Sequence, residues 1–587
     1  MTIHQLSWQQ TQPITENTDS IFAAAPSASS ILFLQKRLAA ALQLLCPAQR
    51  RHYDHRFMLL KSSESQLIFS LLQQAVKTYL SEDEQPLGYA YHAKDHKVTL
   101  RPAQTRQDNF SAVNNCLYAE WFDSEMLFGC VRQPDDDNLK LQPGLVHKAN
   151  GGILILSLRS LLSKPDLWVR LKNMVTTGEF HWFSNDDASP LPYNIPPLPL
   201  DLRIMLVGDR ISLSELQDAD PEFYQTSLYS EVENEISLQS EQNLADWASY
   251  IKFLQGSQNL PALSADAYRP IIKAAIRHTE DQYYLPLSSD WLYSLLVDAA
   301  RQSTEIITAQ HVEQALQQKY AREDYLVQRF RDEIFSNMIT INTQEQIVGQ
   351  INGLSVIEYP GYPLSIGEPT RLSCLVHFGD GEFIDIERKN ELAGNIHSKG
   401  MMIMQAFITA EFALYHQLPF SASLVFEQSY SEVDGDSASL AGLCVLISAL
   451  AQQPIDQQLA VTGSVDQFGH VQPIGGVNEK IESFFAICQH RGLTGQQGVI
   501  IPAANQRNLS LNDEVVEAIK NNLFTIWTVE HVSEALLLLT GIAYKDKGDI
   551  SLYTLIQTRI QQLLLQDKKM SSGHWLRRWF KSSSSEQ

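Results

Sequence analysis

Two segments with contrasting hydrophobic patterns lie in the C-terminal part of the chain. The segment from Ala438 to Ala451 is apolar at nearly every position, which predicts a helix buried on all sides. The segment from Val477 to Arg491 has apolar residues at spacings of three and four, which predicts a helix with one apolar face. Gly492 is suited to end this second helix.

Each predicted helix has one residue, within it or just before it, that the hydrophobic pattern does not explain. Ser437 stands in the turn sequence Asp-Gly-Asp-Ser-Ala just before the buried helix, where free backbone N–H groups and the helix dipole favour negative charge. Lys480 falls on the apolar face of the second helix, where a charged amine is costly.

A lysine on an apolar face has two possible fates. Its long stem can carry the amine out to water, or burial can lower the pKa of the amine until it is neutral. A serine hydroxyl is a poor nucleophile until a base takes its proton, and a neutral lysine can be that base. Ser437 and Lys480 together therefore predict a Ser-Lys hydrolase.

The sequence around these two residues resembles the proteolytic domain of the Lon protease family, peptidase family S16. The Asp-Gly-x-Ser-Ala turn of that family is matched at residues 434–438, and its Pro-Ile-Gly-Gly run before the lysine is matched at residues 473–476. Ser437 and Lys480 are 43 residues apart, which is the spacing that the family uses. The match is closest to the B-type branch.

Other segments extend the resemblance over residues 341–543. They are Thr462-Gly463, residues 349–354 and residues 394–400, in the order that the family has them. Asn478 departs from the pattern, since many Lon proteins have lysine there, but the catalytic position still holds Lys480. The resemblance implies that Thr462 orients the lysine amine.

The resemblance also implies an activity and an assembly. We expect a serine endopeptidase that cleaves peptides or unfolded proteins, with Ser437 as nucleophile and Lys480 as general base, in an α+β proteolytic domain at residues 340–545. Family members form rings that enclose their sites, so a homohexamer is expected. The alternative is a chaperone-like or regulatory assembly that binds unfolded chains without hydrolysing them.

The first half of the chain has the strand pattern of an ATPase without its chemistry. Apolar runs at residues 57–60, 153–156 and 202–207 predict buried strands, in an order that resembles AAA+ ATPases. In those proteins the first strand leads into a glycine-rich loop with a lysine that binds phosphate, and the second ends in Asp-Glu. Here the loop has no glycine and carries Glu64, which repels phosphate, and Ser157-Leu158 replaces Asp-Glu.

These observations give an α/β and α+β multidomain architecture. Residues 31–234 are expected to form a degenerate AAA+-like α/β domain, although an unrelated α/β domain is the alternative. Residues 235–335 contain several predicted helices, which would be the AAA+ lid or, in the alternative, a spacer. We expect residues 1–30 to be loose and residues 546–587 to form a C-terminal helix and tail. We expect neither ATP nor magnesium to bind, and no other cofactor.

Composition restricts the remaining possibilities. A formal net charge of −22 argues against nucleic acid as the main partner. The six cysteines are scattered without metal-type spacing, which fits a reducing cytoplasm and predicts no metal site. No signal peptide and no transmembrane segment are expected. His147, His397 and His470 are interpreted as structural residues rather than bases.

Overall fold

The computed structural model describes residues 4–562, apart from residues 14–17, 48–50, 52–53, 81–87, 95–96, 106, 112–114, 133–138, 185–190, 192–193, 304, 380–382, 390–391, 393, 413–419, 430–433 and 547–549. The chain divides into two compact units. The first, which we call the AAA-like unit, comprises Asn17–Tyr268 and Pro286–Val312. The second, which we call the protease unit, comprises Met1–Glu16, Arg269–Leu285 and Glu313–Gln587.

The strands of the two large sheets are numbered in chain order. They are β1 (His4–Gln5), β2 (Phe57–Lys61), β3 (Cys116–Ala119), β4 (Ile153–Ser157), β5 (Arg203–Gly208), β6 (Leu228–Glu231), β7 (Gln350–Ile357), β8 (Ile366–Phe378), β9 (Phe383–Asp385), β10 (Phe420–Glu427), β11 (Leu459–Val461), β12 (Gly498–Pro502) and β13 (Thr525–Val529).

The helices of seven or more residues are numbered in the same way. They are α1 (Thr18–Ala24), α2 (Lys36–Leu45), α3 (Gln66–Lys77), α4 (Pro165–Thr177), α5 (Arg210–Ala219), α6 (Glu241–Ser257), α7 (Tyr268–Thr279), α8 (Ser289–Ala300), α9 (Ala309–Glu323), α10 (Tyr325–Phe335), α11 (Asn395–Glu411), α12 (Ser439–Ala451), α13 (Val477–Arg491), α14 (Asp513–Lys520) and α15 (Val532–Thr540). Shorter turns of helix include Leu158–Leu162 and the 3₁₀ segments Trp8–Thr11 and Ala503–Asn508.

The AAA-like unit is built on a five-stranded sheet in the order β6-β2-β5-β4-β3, and every neighbouring pair of strands is parallel. Side chains alternate between two cores, since Leu59 and Leu154 face one core while Met58 and Ile153 face the other. Helices α4 and α5 cover the first face and α2 and α3 cover the second. Burial on both faces explains why these strands read as continuous apolar runs.

The protease unit contains an eight-stranded mixed sheet in the order β1-β13-β12-β11-β7-β8-β10-β9. The side chains of β12 alternate, so that Ile500 joins one core and Val499 and Ile501 join the other. Helices α11, α12 and α15 pack in the first core, and α13 and α14 pack in the second. Every residue of α12 is buried, as its uniformly apolar sequence predicts.

Residues 4–13 and 18–30, the described part of the segment that was expected to be loose, contain ordered elements. His4 and Gln5 pair with Thr528 and Trp527 as the edge strand of the eight-stranded sheet, and Leu6 is buried in its core. Residues Thr18–Ala24 form α1, from which Phe22 stacks on Tyr268. The partners of this segment lie hundreds of residues away, so its local pattern carried no sign of them.

The helical segment 235–335 contains α6 to α10, but it is not a separate unit. Its helices are divided between the two units, because tertiary contacts rather than neighbourhood in sequence decide membership. Trp247 of α6, for example, donates its indole N–H to the carbonyl of Pro286 at 2.9 Å inside the AAA-like unit. Within the predicted C-terminal helix and tail, residues 552–562 are helical. The rest of the predicted tail lies outside the described residues.

Two further findings concern the chain as a whole. Within the described ranges, no helix is long and apolar enough to cross a membrane. All six cysteines are free thiols, and five of them are buried.

Candidate active site

Ser437 lies in a turn that is tied to the segment following β11. It stands two residues before Ser439, where α12 begins. Its carbonyl oxygen accepts a hydrogen bond from the N–H of Gly463 at 2.8 Å and another from the hydroxyl of Thr462 at 3.3 Å. The N–H of Leu440 donates to the carbonyl of Gly463 at 3.0 Å. These bonds fix the backbone of the turn on both sides of Ser437.

Two aspartates hold the same turn in place through their side chains. The Asp434 carboxylate accepts hydrogen bonds from the N–H groups of Ile396 at 3.1 Å and Gly435 at 2.9 Å, so it also caps the start of α11. The Asp436 carboxylate accepts a hydrogen bond from the Ser464 hydroxyl at 2.9 Å. The hydroxyl of the half-exposed Ser437, by contrast, forms no hydrogen bond with the described residues.

Lys480 is buried in the first turns of α13. Only 1% of the surface of this residue is exposed. Burial lowers the pKa of the amine to about 8, although the negative charges of Glu479 and Asp436 act to raise it. The nearby N-terminus of α13 also disfavours a positive charge. The helix begins after Gly476, whose φ of +63° lies in the left-handed region that favours glycine.

Ser437 and Lys480 are connected through their neighbours. Among the described residues, no hydrogen bond joins the two side chains. Asp436, the residue before Ser437, is close enough for its charge to act on the Lys480 amine. Catalytic hydrogen bonds are often long in proteins without substrate, so this geometry is compatible with a nucleophile and its base.

Thr462 supports the turn rather than the lysine. Its side chain is fully buried, and its hydroxyl donates to the carbonyl oxygens of Leu354 at 3.2 Å and Ser437 at 3.3 Å. Its hydrogen bonds in the described structure therefore run to backbone carbonyls, whereas the family resemblance implied one to the Lys480 amine.

Replacing Thr462 by valine should lower the free energy of unfolding by about 1–2 kcal/mol, because a buried hydroxyl that serves two carbonyls is lost. The Ser437 turn should loosen, and kcat/KM for peptide cleavage should fall about tenfold. Urea unfolding and cleavage assays measure the two effects, with Thr462→Ser as a control that keeps the hydroxyl. Unchanged stability of Thr462→Val would contradict the supporting role.

A narrow apolar cleft opens beside the Ser437 turn. Met401, Met404, Leu424 and Phe426 form its apolar side. The cleft is small, with room for about one water molecule.

The three histidines occupy structural positions. His397, at the edge of the cleft, is buried and pairs with the buried Asp385 at 3.1 Å. This pairing holds the pKa of Asp385 below its usual range despite burial. His147 is buried in the AAA-like unit, where desolvation lowers its pKa to about 3. His470 is exposed and pairs with Asp466 at 3.0 Å.

An ion-pair cluster lies next to Lys480, and the local sequence did not predict it. The guanidinium of Arg277, on α7, donates to Glu479 at 2.6 Å and to Glu482 at 2.7 and 3.0 Å. It also donates to the carbonyl of Ser510 at 2.9 Å. Arg277 precedes the two glutamates by about two hundred positions, so only the fold reveals this contact.

In the AAA-like unit, the side chains of the loop after β2 form hydrogen bonds with neighbouring elements. The hydroxyls of Ser63 and Ser65 each donate to one carboxylate oxygen of Asp290 at 2.6 Å. Glu64 accepts a hydrogen bond from the Ser157 hydroxyl at the end of β4, and partial burial raises its pKa.

Two arginines at the same sheet edge form ion pairs. Arg159 contacts Asp209 at 3.1 Å, and Arg210 contacts Glu231 at 3.0 Å. The Asp209 carboxylate also caps α5, accepting from the N–H of Ser212 at 2.8 Å.

Comparisons with known proteins identify two domains in this chain. A model of the LonB-like AAA domain matches residues 117–227, and a model of the Lon protease (S16) C-terminal proteolytic domain matches residues 428–540. A Lon protease homolog of Escherichia coli (strain K12) is 47% identical over 584 residues, which are 99% of each chain.

Two more relatives show the range of the similarity. A Lon protease homolog of Haemophilus influenzae is 42% identical, and the match covers 97% of this chain and 96% of the relative. An archaeal Lon protease of Thermoplasma volcanium is 24% identical, and the match covers 82% of this chain and 73% of the relative.

Proposed function

The chain belongs to the Lon protease family, peptidase family S16, and is a serine peptidase; from this premise we propose that Ser437 is its nucleophile and Lys480 its general base. The observation that carries the proposal is the burial of Lys480, which is 1% exposed and whose amine pKa is lowered to about 8. At pH 7.5 a pKa of about 8 leaves about a quarter of the amines neutral, against about one in a thousand at the ordinary value.

The proposed reaction proceeds through an acyl-enzyme. Ser437 Oγ attacks the carbonyl carbon of the scissile peptide bond while Lys480 Nζ takes the hydroxyl proton. The tetrahedral intermediate collapses, the bond to nitrogen breaks, and the proton passes from Lys480 to the leaving amine. Water then attacks the ester with Lys480 again accepting a proton, and Ser437 is released with its hydroxyl restored.

Backbone N–H groups near Ser437 are suited to stabilise the oxyanion. Within the described structure, the N–H groups of Ser437 and Ala438 are not used in hydrogen bonds. They lie at the N-terminus of α12, where the helix dipole adds to their effect. Preorganised donors of this kind are among the largest contributions to catalysis of acyl transfer.

We further propose that the peptidase works without normal ATP-driven unfolding. Support comes from the loop after β2, which lacks glycine, where Asp290 accepts hydrogen bonds from Ser63 and Ser65 and where the Glu64 carboxylate would repel phosphate. The substrates would then be peptides or chains that are already unfolded.

Millimolar Mg-ATP should leave the Tm of the protein unchanged to within about 1 °C, because a ligand at 100 times its Kd stabilises by about 2.7 kcal/mol and no such site is expected. Casein cleavage should proceed at the same rate with and without ATP. Thermal scanning and a cleavage assay test this, with AMP-PNP as a second nucleotide. A rise in Tm together with ATP-stimulated cleavage would contradict the proposal.

The alternative function is an assembly that binds unfolded chains or regulates a partner without hydrolysis. Incubation of the purified protein with casein separates the two functions. Release of acid-soluble peptides supports the peptidase, and binding of casein without any cleavage supports the alternative.

The remaining proposals concern assembly and location. We propose a homohexameric ring, which the family resemblance supports and light scattering of the purified protein can test. The free thiols of the chain support a reducing, cytoplasmic location. The net charge of −22 supports peptide rather than nucleic acid substrates.

A further inference from the structure

The geometry around α13 points to a further residue for the reaction. We propose that Arg277 is a positioning residue of the peptidase site, because its ion pair with Glu479 offsets the carboxylate next to Lys480 and so favours an uncharged amine. The inference rests on the proposed role of Lys480 as the base.

The first step of the argument is the position of Glu479. It is the residue directly before Lys480, it lies mostly buried in the first turn of α13, and its charge acts on the Lys480 amine. A carboxylate close to a buried amine favours the protonated form, which cannot accept a proton from serine. The site therefore contains a charge that opposes the proposed role of its base.

The second step is the way in which Arg277 meets this charge. One nitrogen of its guanidinium contacts Glu479 at 2.6 Å. The guanidinium also donates hydrogen bonds to Glu482 at 2.7 and 3.0 Å. All three side chains are mostly shielded from water, so the pair is weakly screened. The guanidinium is itself a positive charge near the start of α13 and disfavours a second one.

The third step concerns the other charges around Lys480 in the described structure. They include Glu280, just after α7, which acts on Glu479 and accepts a hydrogen bond from the backbone N–H of Gly476. Glu479 and Asp436 are the charges that act on the amine. The other titratable or charged residues on the elements packed against α13 are Glu368, Arg371, Cys374 and His377 on β8, Tyr325, Arg329, Arg331, Asp332 and Glu333 on α10, and Arg507 in the 3₁₀ turn Ala503–Asn508. Strands β7 and β12 contribute none. Arg277 is the cation that contacts Glu479.

The test is the pH profile of kcat/KM for a fluorogenic casein between pH 6 and 10. Arg277→Met should shift the acidic limb of this profile to higher pH by about half to one unit. At pH 7 this shift lowers kcat/KM by about threefold to tenfold. Adding Glu479→Gln to that variant should return the limb to within about 0.2 unit of the unmodified protein. A purely structural role would lower activity at every pH without moving the limb.

Glu482→Gln is the matched control. It breaks the same ion-pair cluster, but Glu482 does not act on the Lys480 amine, so the limb should stay in place. Should Arg277→Met fail to fold, Arg277→Gln takes its place, because glutamine removes the charge and can still donate hydrogen bonds to the glutamates. Its acidic limb should also move to higher pH by about half a unit or more, and a limb within about 0.2 unit of the unmodified protein would contradict the proposal.

The outcomes separate this inference from the proposed function. If Lys480→Met is inactive and the limb of Arg277→Met stays at the position of the unmodified protein, only the role of Arg277 is wrong. If Lys480→Met keeps full activity, the proposed base is wrong, whatever Arg277→Met does.

Discussion

Ser437→Ala should lower kcat/KM for casein by about 10³-fold or more, because the proposed acyl-enzyme forms on the hydroxyl that this change removes. The Tm should change by no more than about 1 °C, since the Ser437 hydroxyl is without a hydrogen-bond partner in the described structure. Cleavage of fluorogenic casein and thermal unfolding measure the two quantities.

The matched control for this variant is Ser336→Ala, which removes an exposed hydroxyl at the end of α10 in the same unit. It should keep the activity of the unmodified protein. Residual cleavage by Ser437→Ala at more than about a tenth of the normal rate would contradict the role of the serine as nucleophile.

Lys480→Met should abolish cleavage to a similar degree and at the same time stabilise the fold. The ordinary pKa of the amine is 10.5 and the folded protein lowers it to about 8, so the unfolded chain binds more protons between these values. Lys480 therefore lowers the free energy of unfolding below pH 8, and this loss disappears as the pH rises toward 10.5. The reduction below pH 8 is on the order of 3 kcal/mol.

Thermal unfolding of both proteins from pH 7 to 10.5 checks the second half of this prediction. At pH 7 the Tm of Lys480→Met should be higher than the Tm of the unmodified protein. This difference in Tm should shrink as the pH rises. Lys520→Met, which removes a half-exposed lysine of α14, should show no such trend. A Tm below that of the unmodified protein at every pH would contradict a buried amine that is costly to charge.

The sequence predicts local elements well where hydrophobic pattern and chemistry agree. The helix expected at Val477–Arg491 has those bounds in the structure, and the fully apolar segment after Ser437 forms the buried α12. The apolar runs of the first half became strands of a parallel sheet. In each case the information lies within a few residues of the element that it describes.

Long-range contacts could not be predicted in this way. The strand His4–Gln5 is polar and short, and its partner β13 lies more than five hundred residues later. The pair of Asp385 with His397 and the contact of Arg277 with Glu479 exist only because folding brings separate helices and strands together. The motif around Ser437 marked the turn, but not the hydrogen bonds that hold it.

The degenerate loop of the AAA-like unit has a physical consequence that its sequence only suggested. The absence of glycines and the presence of Glu64 argue against phosphate binding. The structure adds that Asp290, from a helix predicted as part of the lid, holds the loop through Ser63 and Ser65. The Asp290 carboxylate therefore ties the loop to α8 within the AAA-like unit.

The most direct measurement of the central claim is the rate at which a small fluorophosphonate modifies the protein as a function of pH, with the labelled residue identified by mass spectrometry. We predict that the label lies on Ser437, that its rate rises with an apparent pKa near 8, and that Lys480→Met abolishes it. Label on another residue, or an unchanged rate in Lys480→Met, would contradict a serine activated by an uncharged Lys480.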